Sequence, residues 1–184
     1  METTSQLQSR LFSLHRRNRG RKDPLQFLDK MEKLTRRIFL QHDGKMTFIG
    51  ESEDFSSLCE HLLLTASLVG VDLGLAVRTK YPGFCPYCYI QSCQCKGIVP
   101  RPPYRRWNGQ IPPENSLAEL KEMLRSIYPP ERHTLEHQVA KLLEEIRETQ
   151  EAIQNSPLIE AQEELSDIFA RLAPLAHFMR MPLL

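Results

Sequence analysis

Four acidic residues stand in two pairs of matched spacing, Glu145 with Glu148 and Glu164 with Asp167. Residues at i and i+3 share one face of a helix, so each pair projects from one side. The stretch 141–175, KLLEEIRETQEAIQNSPLIEAQEELSDIFARLAPL, has the apolar period of two helices broken at Asn155-Ser156-Pro157. A short break makes consecutive helices antiparallel neighbours, and the two pairs then face each other across the seam. Four carboxylates gathered there repel unless a cation sits among them. An all-oxygen donor set selects hard ions such as Mg²⁺ or Mn²⁺. Mg²⁺ held by carboxylates commonly completes its shell with phosphate oxygens.

The plain alternative is a solvated acidic face. Against it stand Leu142, Leu143, Ile146 and Ile153 on the first helix and Leu165, Ile168, Leu172 and Leu175 on the second. These put all four acids at the edge of a buried stripe. The pattern Glu-Glu-x-x-Glu, a spacer, then Glu-Glu-x-x-Asp-Ile-Phe also resembles the ExxE…ExxD signature of the MazG-like all-α nucleoside triphosphate pyrophosphatases. The resemblance implies a hydrolase acting on acid anhydrides, cleaving an NTP or dNTP between the α and β phosphates in house-cleaning or control of the nucleotide pool. It implies Mg²⁺ ions on Glu145, Glu148, Glu164 and Asp167, with Glu144 or Glu163 tuning the metals or acting as base. Lys141, Arg147 and Arg171 lie within a helical turn of the acids and are candidate phosphate contacts, though no motif fixes them.

An internal repeat widens the picture. Residues 53–73, EDFSSLCEHLLLTASLVGVDL, align with 163–183, EELSDIFARLAPLAHFMRMPL, and FLDKMEKLTRRI from Phe27 aligns with LLEEIRETQEAI from Leu142. The difference in offset falls around His42-Asp43-Gly44, where a connection tolerates a change of length. The copies differ where the chemistry lies. Lys30 and Lys33 replace Glu145 and Glu148, Asp54 stands for Glu164, and Ser57 replaces Asp167. A first copy so altered is not expected to hold a divalent ion. Its lysines could fill the vacated cation positions, reach phosphate oxygens as point charges, or simply be exposed. The copy itself could cover the apolar face of the second.

Cys85, Cys88, Cys93 and Cys95 crowd a short segment as C-x-x-C and C-x-C. Four thiolates suit a closed tetrahedral zinc site that staples rather than catalyses, and the KYPG-C-P-x-C element resembles a cysteine knuckle of some MazG-related proteins. An iron–sulfur cluster or metal-free thiols remain alternatives. Cys59, alone in an apolar helix, reads as a buried thiol. The Pro-rich 98–115 contains Trp107 beside Arg105 and Arg106, which could stack on a base or pack the linker down. Ser116 and Glu119 form a capping box that starts a helix. His133, Glu136 and His137 fit the H-x-x-E-H zinc-protease pattern, but no third ligand is evident and two prolines precede it.

The composition sets the frame. Residues 1–110 hold 17 Lys/Arg against 10 Asp/Glu, and residues 111–184 hold 7 against 13, so a basic part faces an acidic one. Residues 1–23, with Arg16, Arg17, Arg19, Arg21 and Lys22, read as a flexible solvated arm. Nucleic-acid binding lacks aromatic interleaving there, and cover for a polyphosphate site is a third use. No apolar run reaches the ~18 residues of a membrane span, no secretory signal is evident, and clustered thiols suit a reducing compartment, so a cytoplasmic protein is expected. The second copy stops one helix short of the first, and its edge is expected to be covered by the first copy or by a second subunit of a homodimer.

The expectation is an all-α protein of tandem MazG-like helix-bundle units forming a pseudo-dimer. Residues 1–23 form the arm, 24–83 a degenerate copy, 84–97 a four-cysteine zinc knuckle, 98–115 the linker and 116–184 the copy with intact ExxE/ExxD. Two rival readings are a catalytically weak nucleotide sensor and a scaffold for a partner.

Overall fold

A computed structural model describes residues 2–18, 23–42, 51–95, 109–111, 113, 116–132 and 134–179. Seven α-helices are present among them: α1 (Thr4–Asn18), α2 (Pro24–His42), α3 (Glu51–Leu68), α4 (Leu73–Lys80), α5 (Leu117–Ile127), α6 (Leu135–Asn155) and α7 (Leu158–Phe178), with one 3-10 turn at Pro130–Arg132 and no strand. All-α is the observed class. No single described helix is long and apolar enough to cross a membrane. Trp107 with Arg105 and Arg106, His133 and the basic cluster 19–22 lie outside the described residues.

The helices that carry the acids follow their apolar stripes. On α6 the buried positions are Leu135, Gln138, Val139, Leu142, Glu145, Ile146, Thr149 and Ala152, the spacing of one helix face. Glu145 is therefore inside the stripe rather than beside it. On α7, Leu165, Ile168, Phe169, Leu172, Ala173 and Ala176 are buried, and Glu164 and Asp167 flank that face. α6 and α7 pack extensively on each other, and α2 and α3 do the same. The two pairs meet through α2 on α6 and α3 on α7, while α4 and α5 also lie against α7. One continuous apolar cluster runs from Leu28 and Phe55 to Leu165 and Leu172. Gln150 Nε2 donates to Asp29 Oδ1 at 2.8 Å across the α2–α6 contact.

The N-terminal segment departs from expectation. Over Thr4–Asn18 it is not a flexible arm but a helix packed on α3 and α4. Leu7 and Leu11 pack against the core, Thr4 is fully buried, and Gln8 closes the contact with two hydrogen bonds. Gln8 Nε2 donates to Val71 O at 2.6 Å, and Leu73 N donates to Gln8 Oε1 at 3.1 Å. Gly74 permits this approach, since a Cβ there would lie 3.1 Å from Thr4 Cβ. The arginines that dominate the composition sit later, and they conceal a short inward face at 4, 7, 8 and 11. Gln8→Ala would strand two backbone groups in the interior, at about 1–3 kcal/mol each. We expect a loss of several kcal/mol by denaturant titration, whereas a solvated arm would register no change.

Between α4 and α5 lies the cysteine loop. Gly83, at φ +100°, turns the chain out of α4, a conformation that suits glycine. Cys85 N donates to Ile90 O and Tyr89 N to Cys85 O, which curls the C-x-x-C half, with Tyr89 at φ 57°. Cys93 N donates to Ile127 O at 2.8 Å, fastening the C-x-C half to the end of α5. Ser116 and Glu119 form the expected capping box at the other end of α5.

Candidate active site

Three of the four acids converge. Carboxylate oxygens of Glu145, Glu164 and Asp167 lie within 4.8 Å of one another. Glu145 comes from α6, and Glu164 and Asp167 come from consecutive turns of α7. Glu148 is one turn beyond Glu145 and lines the same pocket without joining that group of three. Glu145 is 6% exposed, and Thr149 Oγ1 donates to its backbone carbonyl.

Like charges at this spacing need compensation, and two cations supply it. Arg171, one turn after Asp167 on α7, donates from Nε and Nη2 to Glu145 Oε1 at 3.1 and 3.0 Å. Lys80, the last residue of α4, places Nζ 2.8 Å from Asp167 Oδ1 and donates to Glu163 O at 3.1 Å. Tyr81 Oη donates a hydrogen bond to the same Asp167 oxygen. Glu164 is treated differently. Its Oε2 is buried and has no hydrogen-bond partner among the described residues.

The protonation equilibria follow. Burial first, and the charge of Asp167 second, raise the Glu145 carboxyl above its ordinary range, with Arg171 opposing. The same two causes push Glu164 up to about 7, against the pull of Lys80. Burial lowers and the surrounding anions, Glu145 foremost, raise Arg171, which ends above its usual value. Burial and the neighbouring Asp167 charge raise Tyr81, so it stays a phenol and a donor.

These groups open into a pocket of about 760 Å³ that also reaches the cysteine loop, with Cys85, Cys93, Cys95, Tyr87 and Tyr128 on its far wall. One ligand atom from each of Cys85, Cys88, Cys93 and Cys95 lies within 4.8 Å of the others, so the four sulfurs are placed to hold a metal ion. A hydrogen bond from Cys93 pulls the Cys85 thiol down to about 4 and pushes Cys93 up. The loop touches the acids through a relay. Tyr128 Oη lies 3.6 Å from Cys85 Sγ as donor, the Tyr128 ring meets the Tyr81 ring edge to face at 6.0 Å, and Tyr81 reaches Asp167.

The remaining residues singled out in the sequence are distributed as follows. Lys141 lines the pocket and is paired with Glu144. Glu144 and Glu163 line it too. Arg147 is exposed and does not line it. Lys30 and Lys33 are also exposed and off the pocket, with Lys30 Nζ 5.7 Å from the Phe27 ring centre. In that half of the chain Asp54 is buried and both its oxygens accept from Arg37. Of the H-x-x-E-H pattern, the described members Glu136 and His137 are on α6, whose N-terminus Thr134 caps by accepting from His137 N.

Lys80, Tyr81 and Tyr128 are the site residues that sequence reasoning did not single out. Lys80-Tyr81 directly precedes Pro82-Gly83 and the first cysteine, and that adjacency was the available signal.

Residues 117–183 match the family described as phosphoribosyl-ATP pyrophosphohydrolase, which belongs with the all-α MazG-like NTP pyrophosphohydrolases. The match spans α5, α6 and α7 and includes every acid of the cluster, and it supports a pyrophosphohydrolase activity of unspecified substrate. It does not extend to residues 24–83. No curated protein and no solved structure matches the chain.

Proposed function

We propose that the chain is a divalent-metal-dependent pyrophosphohydrolase that converts a nucleoside triphosphate, NTP or dNTP, to its monophosphate and pyrophosphate, in house-cleaning or control of the nucleotide pool. The observation that carries this reading is the convergence of Glu145, Glu164 and Asp167 in a pocket of about 760 Å³, within the segment that matches a pyrophosphohydrolase family.

The donor set fits Mg²⁺ or Mn²⁺. It is all oxygen, as hard cations require, and the buried Glu164 Oε2 is an acceptor awaiting a positive partner. Glu145, Glu164 and Asp167 would hold the ion, with Glu148 on the adjoining wall. Bound there, it would neutralise phosphate oxygens and lower the pKa of an attacking water. Lys141 and Arg171 face the pocket as cations for the phosphates, and Glu144 or Glu163 could accept the proton of that water. Tyr87, Tyr128 and Ile127 offer apolar room for base and sugar.

The four-cysteine loop is read as a structural zinc site, since all-sulfur ligation with no open position suits zinc. The α2–α3 pair is read as a degenerate second unit that covers the α6–α7 pair. Arg37 holding Asp54 supports its having no metal of its own. Assembly into a homodimer and a reducing cytoplasmic setting complete the proposal.

A nucleotide sensor is the second reading. It is favoured by Lys80 and Arg171, which already neutralise two of the acids. Calorimetric binding and turnover, measured on one panel of NTPs, dNTPs and phosphoribosyl-ATP with Mg²⁺, separate the two. The enzyme reading expects turnover of at least one member at about 1 s⁻¹ or faster. Tight metal-dependent binding without turnover would transfer the protein to the sensor reading, and neither would leave a scaffold.

A further inference from the structure

We propose that Lys80 is an exchangeable internal cation of the acidic site: it holds Asp167 while the site lacks a divalent ion, and it contacts the nucleotide phosphates once metal and substrate arrive. This deepens the hydrolase reading given above and rests on it for the phosphate step. Lys80 belongs to α4, outside the segment 117–183 that matches the family.

Several observations converge. Lys80 is 6% exposed, yet it lines the pocket. Its ammonium sits 2.8 Å from Asp167 Oδ1, on one of the three carboxylates that would hold a divalent ion. An ammonium at that distance and a dication repel strongly at low local dielectric, so one must yield. The backbone of Lys80 cannot yield. α4 lies along α7, Tyr81 N closes the helix on Val77 O at 2.7 Å, and the Tyr81 ring is wedged against Tyr128. The side chain can yield, because four rotatable carbons let an ammonium move several ångströms on a fixed Cα. A buried ammonium driven off Asp167 needs another anion within reach. The pocket that Lys80 lines is where the phosphates would enter, and the ammonium binds phosphate as a point charge without demanding one geometry.

The inference predicts effects of opposite sign, which a merely structural lysine would not give. In Lys80→Gln and Lys80→Met the competitor is gone, so Mn²⁺ binding without nucleotide, followed by electron paramagnetic resonance, should tighten about tenfold. The phosphate contact is gone too, so KM for the best nucleotide should rise about tenfold or more, with a smaller change in kcat. Near-UV circular dichroism and melting curves check that both variants fold, and Lys80→Arg, which keeps the charge, should show no tightening of Mn²⁺. Unchanged or weaker Mn²⁺ binding in both folded neutral variants would overturn the exchange, and an unchanged KM would overturn the phosphate contact. If the wild type turns over no nucleotide, the hydrolase reading fails by itself, and the Mn²⁺ comparison still decides whether Lys80 competes for the site.

Discussion

Glu164→Gln is expected to abolish turnover while making the metal-free protein more stable. The two effects share one cause. Glu164 Oε2 is buried without a hydrogen-bond partner among the described residues, beside Asp167 and near Glu145 and Glu148, and the charge of Lys80 opposes their effect. Its carboxyl is pushed up to about 7, so between its ordinary value near 4.5 and about 7 the folded chain binds more protons than the unfolded one. Stability of the metal-free wild type should therefore fall as pH rises through that window, by an amount of order 2 kcal/mol. An amide does not titrate, so Glu164→Gln should reduce the slope, leaving the part that the raised Glu145 carboxyl contributes, and should melt higher than wild type at pH 8. It also removes a metal ligand, and loss of several kcal/mol of transition-state stabilisation lowers kcat/KM by roughly a thousandfold. Asp167→Asn should be as inactive but less stable, because Asp167 is the common acceptor of Lys80 and Tyr81. Weakening a buried charged contact costs about 1–3 kcal/mol. Melting curves of both variants from pH 4 to 8 check the contrast. Equal destabilisation of the two would mean that the acids serve only the fold.

The other large effect is expected at the cysteine loop. With the proposed zinc on Cys85, Cys88, Cys93 and Cys95, adding a chelator or replacing Cys85 by Ser would remove a ligation that fastens α4 to the end of α5. A loss of about 4 kcal/mol would lower the melting temperature of a chain this size by roughly 10 °C. Thiol titration gives an independent count. The four clustered thiols should be protected until a chelator frees them, and Cys59, whose buried thiol is pushed up to about 12, should react only on unfolding. The relay from Cys85 through Tyr128 and Tyr81 to Asp167 adds a functional consequence. Cys88→Ser, assayed with excess Mg²⁺, should lose activity about tenfold or more, as groups that orient metal ligands do. Four thiols reactive without a chelator, and no change in melting when one is added, would leave the loop metal-free.

The acid cluster was legible because its geometry is local. Spacing of three on two apolar-striped helices joined by a two-residue break leaves little freedom in how they face each other. Glu148 lines the pocket without joining the group of three, a distinction that the spacing alone does not make. A residue one turn along rises about 4.5 Å on the helix axis, and α6 spends that rise on placing Glu148 at the pocket wall. Lys80 and Tyr81 were not legible as site residues. They meet Asp167 across more than eighty positions of sequence, and no periodicity relates α4 to α7. The first helix was missed for a different reason. Its four inward positions are Thr4, Leu7, Gln8 and Leu11, two of them polar, so the hydrophobic pattern is thin and its polar members matter only when α3 and α4 supply partners.

The most direct test of the central claim is the identity of the phosphorus products. Wild-type protein with Mg²⁺ and its best nucleotide, followed by phosphorus-31 nuclear magnetic resonance, should give nucleoside monophosphate and pyrophosphate in equal amounts, and neither should form without a divalent ion. Release of orthophosphate with nucleoside diphosphate, or the same turnover in the presence of a chelator, would contradict a carboxylate-held metal acting between the α and β phosphates.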